Sequence, residues 1–104
     1  MSSFDNVSVV KQGNIYFEGK VTSRVVNFPD GSTKTLGIML PGDYEFGTDT
    51  RELMEITAGD LDVLLPGATD WQTITGGEQF EVPANAKFNL KVKTTTDYCC
   101  SYFN

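Results

Sequence analysis

No stretch of ten or more residues carries the apolar spacing of an amphipathic helix; short β-rich runs punctuated by Gly and Pro follow one another instead. The runs are Val7–Val10, Asn14–Phe28, Thr33–Leu40, Tyr44–Thr48, Leu53–Ala58, Leu61–Leu65, Asp70–Thr75, Glu78–Val82, Lys87–Lys93 and Thr96–Phe103. In Lys87–Lys93, Phe88, Leu90 and Val92 alternate with Lys87, Asn89, Lys91 and Lys93, which predicts one buried and one wet face of an antiparallel strand. Leu61, Val63 and Leu65 alternate in the same way with Asp60, Asp62 and Leu64. Pro29-Asp30-Gly31 combines a preset φ with a residue that accepts positive φ, so it predicts a hairpin between the second and third runs. Pro41-Gly42, Gly59-Asp60, Pro66-Gly67 and Gly76-Gly77 mark further reversals. About ten short, evenly spaced strands predict an all-β sandwich or barrel. The polar first dozen residues are expected to be loosely attached, over 1–13.

Length and charge narrow this picture. The 104 residues suit one domain, 1–104, and are too few for two. A net charge of -6 argues against non-specific nucleic-acid binding, which needs a cationic face. The basic residues Lys11, Lys20, Arg24, Lys34, Arg51, Lys87, Lys91 and Lys93 are dispersed, although a single phosphate group needs only a local pocket. The only cysteines, Cys99 and Cys100, are neighbours, so no disulfide framework is expected. The polar N-terminus lacks the pattern of a signal peptide, and the apolar stretches are too short to span a bilayer. These features predict a soluble protein of a reducing cytoplasm, without membrane or nucleic-acid partners.

Two segments narrow the fold. Glu52-Leu-Met-Glu-Ile-Thr-Ala-Gly59 matches the Glu-to-Gly half of the first cupin motif, and Gly77-Glu-Gln-Phe-Glu-Val-Pro83-Ala-Asn85-Ala-Lys-Phe88 matches the second. In the second, Asn85 replaces a glycine and Phe88 replaces a histidine; Asn tolerates positive φ, so the corner survives. The chain thus resembles a single-domain cupin, a jelly-roll barrel. It contains no His. The two histidine positions of the first motif fall on Glu45 and Gly47 or on Phe46 and Thr48, depending on the spacing chosen. Transition metals favour imidazole or thiolate, so Glu45, Glu52 and Glu55 would hold a hard cation only weakly, and no metal is expected.

Further phrases stand in one order: Asn14-Ile-Tyr-Phe-Glu-Gly-Lys20-Val, Thr35-Leu-Gly-Ile-Met-Leu-Pro-Gly-Asp-Tyr-Glu-Phe46, Glu52-Leu-Met-Glu-Ile56, Leu65-Pro-Gly, Asp70-Trp71, Phe80-Glu-Val-Pro-Ala-Asn85 and Asp97-Tyr-Cys-Cys-Ser-Tyr102. This succession, from Asn14 onward, resembles the small bacterial pyrimidine/purine nucleoside phosphorylases. The resemblance implies a pentosyltransferase, often a homodimer, that cleaves diverse nucleosides with inorganic phosphate to free base and ribose 1-phosphate, without cofactor.

Such chemistry needs a phosphate grip, a surface for the base, partners for the ribose hydroxyls and a proton for the departing base. Arg suits phosphate best, which makes Arg24, with Lys20 or Lys34, the candidate; the alternative is a solvated strand face. Glu45, Glu52 and Glu55 are candidates for gripping ribose or protonating the base, a task that needs a raised carboxyl pKa. Against this, Glu52 fits a corner-holding role and Glu55 an exposed strand position. Tyr44, Trp71 and Tyr98 are candidate base-stacking surfaces, whereas Phe46 and Phe88 read more readily as core. Cys99 lacks a His to form a thiolate. Two other functions fit the same residues: a metal-free cupin that binds a sugar or nucleotide without chemistry, and a sugar isomerase or epimerase relying on a Tyr base.

Overall fold

Pro-Asp-Gly, Gly-Asp and Gly-Gly reversals divide the chain into the short strands they predict. The computed structural model describes residues 2–103. Its strands are β1 (Ser8–Val9), β2 (Asn14–Tyr16), β3 (Val21–Asn27), β4 (Thr33–Met39), β5 (Gly42–Gly47), β6 (Arg51–Ala58), β7 (Asp60–Leu64), β8 (Gln72–Thr75), β9 (Gln79–Val82), β10 (Lys87–Val92) and β11 (Thr96–Phe103). They form a seven-stranded sheet in the order β1-β3-β4-β11-β6-β9, with β2 also on β3, and a four-stranded sheet in the order β5-β10-β7-β8. All pairings are antiparallel. The expected all-β, cupin-type barrel is what forms.

The hydrophobic core lies between the sheets. Leu61, Val63, Phe88, Leu90 and Val92 are buried from the small sheet, as their alternation predicts, and meet Val21, Met39, Met54 and Ile56 of the large one. Each fully buried aliphatic side chain contributes about 1.5–3 kcal/mol. The Phe28–Ser32 reversal closes through Gly31 N–H to the Phe28 carbonyl at 3.0 Å, and Asp30 Oδ1 accepts from the Ser32 N–H at 2.8 Å. Asn85 has φ 53, the conformation its substitution for glycine predicts.

The Asn14–Phe28 run differs from its sequence reading. It is two strands, β2 and β3, paired antiparallel from Asn14–Ser23 to Tyr16–Val21 and joined by a tight turn over Phe17–Gly19. Within 1–13, expected to be loosely attached, Ser8 and Val9 pair with β3, and Phe4 packs edge-on against Phe28 with ring centroids 5.1 Å apart. β6 carries a bulge: Asp97 pairs with Ala58 and Tyr98 with Ile56, so Thr57 is an extra residue between them.

Candidate active site

The barrel encloses a cavity of about 340 Å³, within the size range of small-molecule sites. Its two walls differ in chemistry because they come from different sheets. Ser23 of β3, Thr35 of β4, Glu52 of β6, and Tyr98, Cys100 and Tyr102 of β11 form a polar wall on the large sheet. Phe46 of β5 and Phe88 of β10 form an aromatic wall on the small sheet, their rings stacked at 5.7 Å. Tyr16 and Phe17, from the end of β2 and the turn beyond it, lie at the cavity as well.

The polar wall is hydrogen-bonded within itself. Cys100 Sγ donates to Glu52 Oε1 at 3.3 Å, and the Thr35 and Tyr102 hydroxyls lie 3.1 Å apart. Tyr98 Oη donates to the Thr22 carbonyl at 3.3 Å. Gly37 makes room for that phenol: a Cβ there would lie 2.6 Å from Tyr98 Oη, and nearer still to the Thr22 carbonyl.

Burial raises the pKa values of the groups on the polar wall. Desolvation raises the Glu52 pKa above the ordinary Glu value; the Cys100 thiol opposes this and the Asp49 charge adds to it. Burial also pushes Tyr98 up to about 12 and raises the Cys100 thiol and the Tyr102 phenol. A phenol held that high is a poor base at neutral pH, which counts against an isomerase that relies on Tyr98. Burial likewise raises the Cys99 thiol, away from the thiolate a nucleophile needs.

The expected site residues separate. Glu52 and Tyr98 line the cavity, and Glu45 borders it from β5 although strand alternation sets it opposite to Tyr44 and Phe46. Tyr44 is buried beside the cavity and donates its hydroxyl to the Leu40 carbonyl at 2.6 Å, so it supports Phe17 and Phe46 and lines nothing itself. Glu55 pairs with Cys99 and Gln79 in the outward set of β6. Arg24 lies on the outer side of β3, where its guanidinium donates to the Lys11 carbonyl and lies against Gly13. Lys34 sits over the Phe4 and Phe28 rings, 5.3 and 5.8 Å from their centroids. Lys20 is exposed just past the β2–β3 turn, and Trp71 stacks under Lys91 Nζ at 4.4 Å. The expected grouping of Arg24, Lys20, Lys34, Glu55 and Trp71 around one pocket therefore does not form, because strand alternation or loop position turns each away. No Lys or Arg is among the lining residues. Phe46 and Phe88, read as core, are both core and cavity wall.

Several lining residues escaped the sequence reading, among them Tyr16, Phe17, Ser23, Thr35, Cys100 and Tyr102. The alternation of β11 linking Tyr98, Cys100 and Tyr102 was the available signal for two of them. Among the described residues, no three of His, Cys, Asp and Glu come together as a metal-ligand group.

A family model described as pyrimidine/purine nucleoside phosphorylase matches residues 11–102. The chain is 62% identical over 104 residues to the pyrimidine/purine nucleoside phosphorylase of Hydrogenovibrio crunogenus, covering 100% of both chains. It is 67% identical over 102 residues to the protein of that name from a Sulfurovum species, covering 98% of this chain and 99% of the other. Among solved structures, a protein of unknown function from Acinetobacter sp. ADP1 superposes with TM-score 0.94 at 37% identity, covering 97% of this chain and 98% of that one. A cupin-2 domain protein from Shewanella frigidimarina superposes with TM-score 0.65 at 17% identity over 79% of each chain, a likeness of fold alone.

Proposed function

The chain belongs to the pyrimidine/purine nucleoside phosphorylase family, and we propose that its cavity holds a nucleoside together with inorganic phosphate and exchanges the base for phosphate. A phosphate oxygen attacks the anomeric carbon, the bond to the base nitrogen breaks with its electron pair, and the products are free base and ribose 1-phosphate. Purine and pyrimidine nucleosides both serve.

The observation that supports this reading best is Glu52: a half-buried carboxyl with a raised pKa, set in a wall of hydroxyls and facing aromatic rings. A departing base carries growing negative charge, and a protonated carboxyl can neutralise it. The Ser23, Thr35 and Tyr102 hydroxyls supply donors for ribose and phosphate oxygens, and Glu45 at the rim accepts from a ribose hydroxyl. A neutral Glu52 also spares the incoming phosphate a repulsive neighbour. Positioning and charge stabilisation carry the reaction, with no metal or organic cofactor.

The outer face of the large sheet leaves Ile15, Leu36 and Ile38 71%, 41% and 39% exposed, and a second copy of the chain covers them in a homodimer. Light scattering on the protein and on Leu36→Glu reads this: a dimer that becomes monomeric supports it, and a wild-type monomer rejects it. Two unbonded neighbouring cysteines suit a cytoplasmic protein.

The test is incubation of chelator-treated protein with uridine and adenosine, with and without phosphate. Base release that requires phosphate is the expected result. No base above the protein-free control rejects the enzyme, and release indifferent to phosphate indicates a hydrolase. The lack of Lys and Arg in the lining favours a second reading, a module that binds a neutral nucleoside or sugar; it predicts saturable binding without turnover.

A further inference from the structure

The turn between β2 and β3 is built at the expense of backbone comfort. Phe17 (φ 50), Glu18 (φ 58) and Gly19 (φ 92) follow one another in the left-handed region, which only the glycine enters freely. A bulky aromatic there is an outlier, and such outliers gather at ligand clamps. The turn is held by the Lys20 N–H on the Phe17 carbonyl at 3.1 Å and by the Leu40 N–H on the Lys20 carbonyl at 2.8 Å. Its effect is to carry the Phe17 ring to the cavity, 4.9 Å from Tyr44 and edge-on to Phe46 at 5.5 Å. The ring is not there to fill the core, because Phe17 stays 42% exposed. Among the described residues, the cavity lining contains no Asn or Gln, the amide side chains that pair bidentately with a base edge, while it offers ring faces to a base.

We propose that Phe17 is a specificity-determining residue whose ring stacks on the base, reading the flat face that purines and pyrimidines share. This rests on the cavity being the nucleoside site. It accounts for tolerance of both base classes, since stacking requires a π-face and no particular edge. The strained turn holds the ring in place before the substrate arrives.

The experiment compares wild type with Phe17→Leu, Phe17→Met and Phe17→Tyr, using uridine and adenosine. The two ring-less variants raise the nucleoside KM for both substrates by about fivefold to 150-fold, the equivalent of about 1–3 kcal/mol of base–aromatic stacking. The phosphate KM stays within about twofold, and Phe17→Tyr stays near wild type for both nucleosides. An unchanged nucleoside KM in whichever ring-less variant folds overturns the proposal, as does a rise confined to one base class. If wild type releases no base, the phosphorylase reading fails by itself, and calorimetric titration with uridine and adenosine decides the stacking. Weaker binding of both by Phe17→Leu upholds it; equal binding, or none to wild type, overturns it.

Discussion

The two faces of the large sheet share their strands and almost nothing else. One cross-strand row runs Arg24, Leu36, Cys99, Glu55; the next runs Val25, Thr35, Cys100, Met54. A single residue separates them along each strand, and they face opposite ways. The outward set holds cations and exposed apolar groups, and its cations have structural partners: Arg24 holds the Lys11 carbonyl and Lys34 covers Phe4 and Phe28. The inward set carries hydroxyls, a thiol and the half-buried Glu52. Residue chemistry alone nominates the cations for phosphate; the parity of the strand assigns them to holding the N-terminal segment. For a sheet with two dissimilar faces, the phase of each strand says as much about function as the residue types do.

The sharpest way to break this contrast is to make the same change on each face. Glu52→Gln is expected to lower kcat by about 10²–10⁴-fold, whereas Glu55→Gln, across the sheet, stays within about threefold of wild type. Equal losses in steady-state assays would erase the distinction. The pH profile adds to it. A general acid works protonated, so wild-type kcat falls as pH rises through the raised Glu52 pKa, and the residual activity of Glu52→Gln lacks that limb. Stability moves in the matching sense: with its folded pKa raised, Glu52 contributes most below the unfolded carboxyl value and loses that contribution as pH rises through the folded one. Glu52→Gln therefore gains stability relative to wild type as pH rises above the ordinary Glu pKa, which denaturant titrations over a series of pH values read.

A smaller effect is expected from the pair Gly37→Ala and Leu36→Ala. The first forces the Tyr98 ring and the Thr22 carbonyl apart and destabilises by about 1–3 kcal/mol. That lowers Tm by about 4–8 °C for each kcal/mol. Leu36 is 41% exposed in the single chain, so at concentrations where a dimer has dissociated its truncation changes stability by about 0.5 kcal/mol or less. Comparable melting shifts would mean that the outer face is packed as tightly as the inner. The smallest effect belongs to Arg24→Ala, which leaves the phosphate KM within about twofold and instead speeds hydrogen exchange over residues 11–13. A lost or much raised phosphate KM would bring Arg24 back to the chemistry.

Much of the fold was legible because its turns use residues with few alternatives: Pro29-Asp30-Gly31, Gly59, Gly77 and Asn85 each mark a reversal or corner. The β2–β3 reversal was not, since nothing in the propensity of Phe17 or Glu18 announces a left-handed conformation and Gly19 stood alone as a signal. In the site, Glu52 was legible through its place in a cupin corner, and Tyr98 as an aromatic among β-rich neighbours. Ser23 and Thr35 were illegible because small polar residues in a strand acquire meaning only when the partner strand fixes their face. Trp71 fits a stacking surface by composition, yet its position in the loop before β8 gives its ring to Lys91.

The bulge at Thr57 acts as a counter. It adds one residue to β6 opposite the step from Asp97 to Tyr98, after a stretch in which Glu52, Met54 and Ile56 point inward. Were Thr57 paired with Tyr98 instead of skipped, and the Ala58–Asp97 pairing kept, every pairing upstream would shift by one place. Leu53 and Glu55 would then face the barrel, and Glu52 would turn towards the solvent side. The place of Glu52 in the cavity thus depends on whether one residue of a neighbouring stretch of backbone is skipped, a property no list of contacts around Glu52 contains.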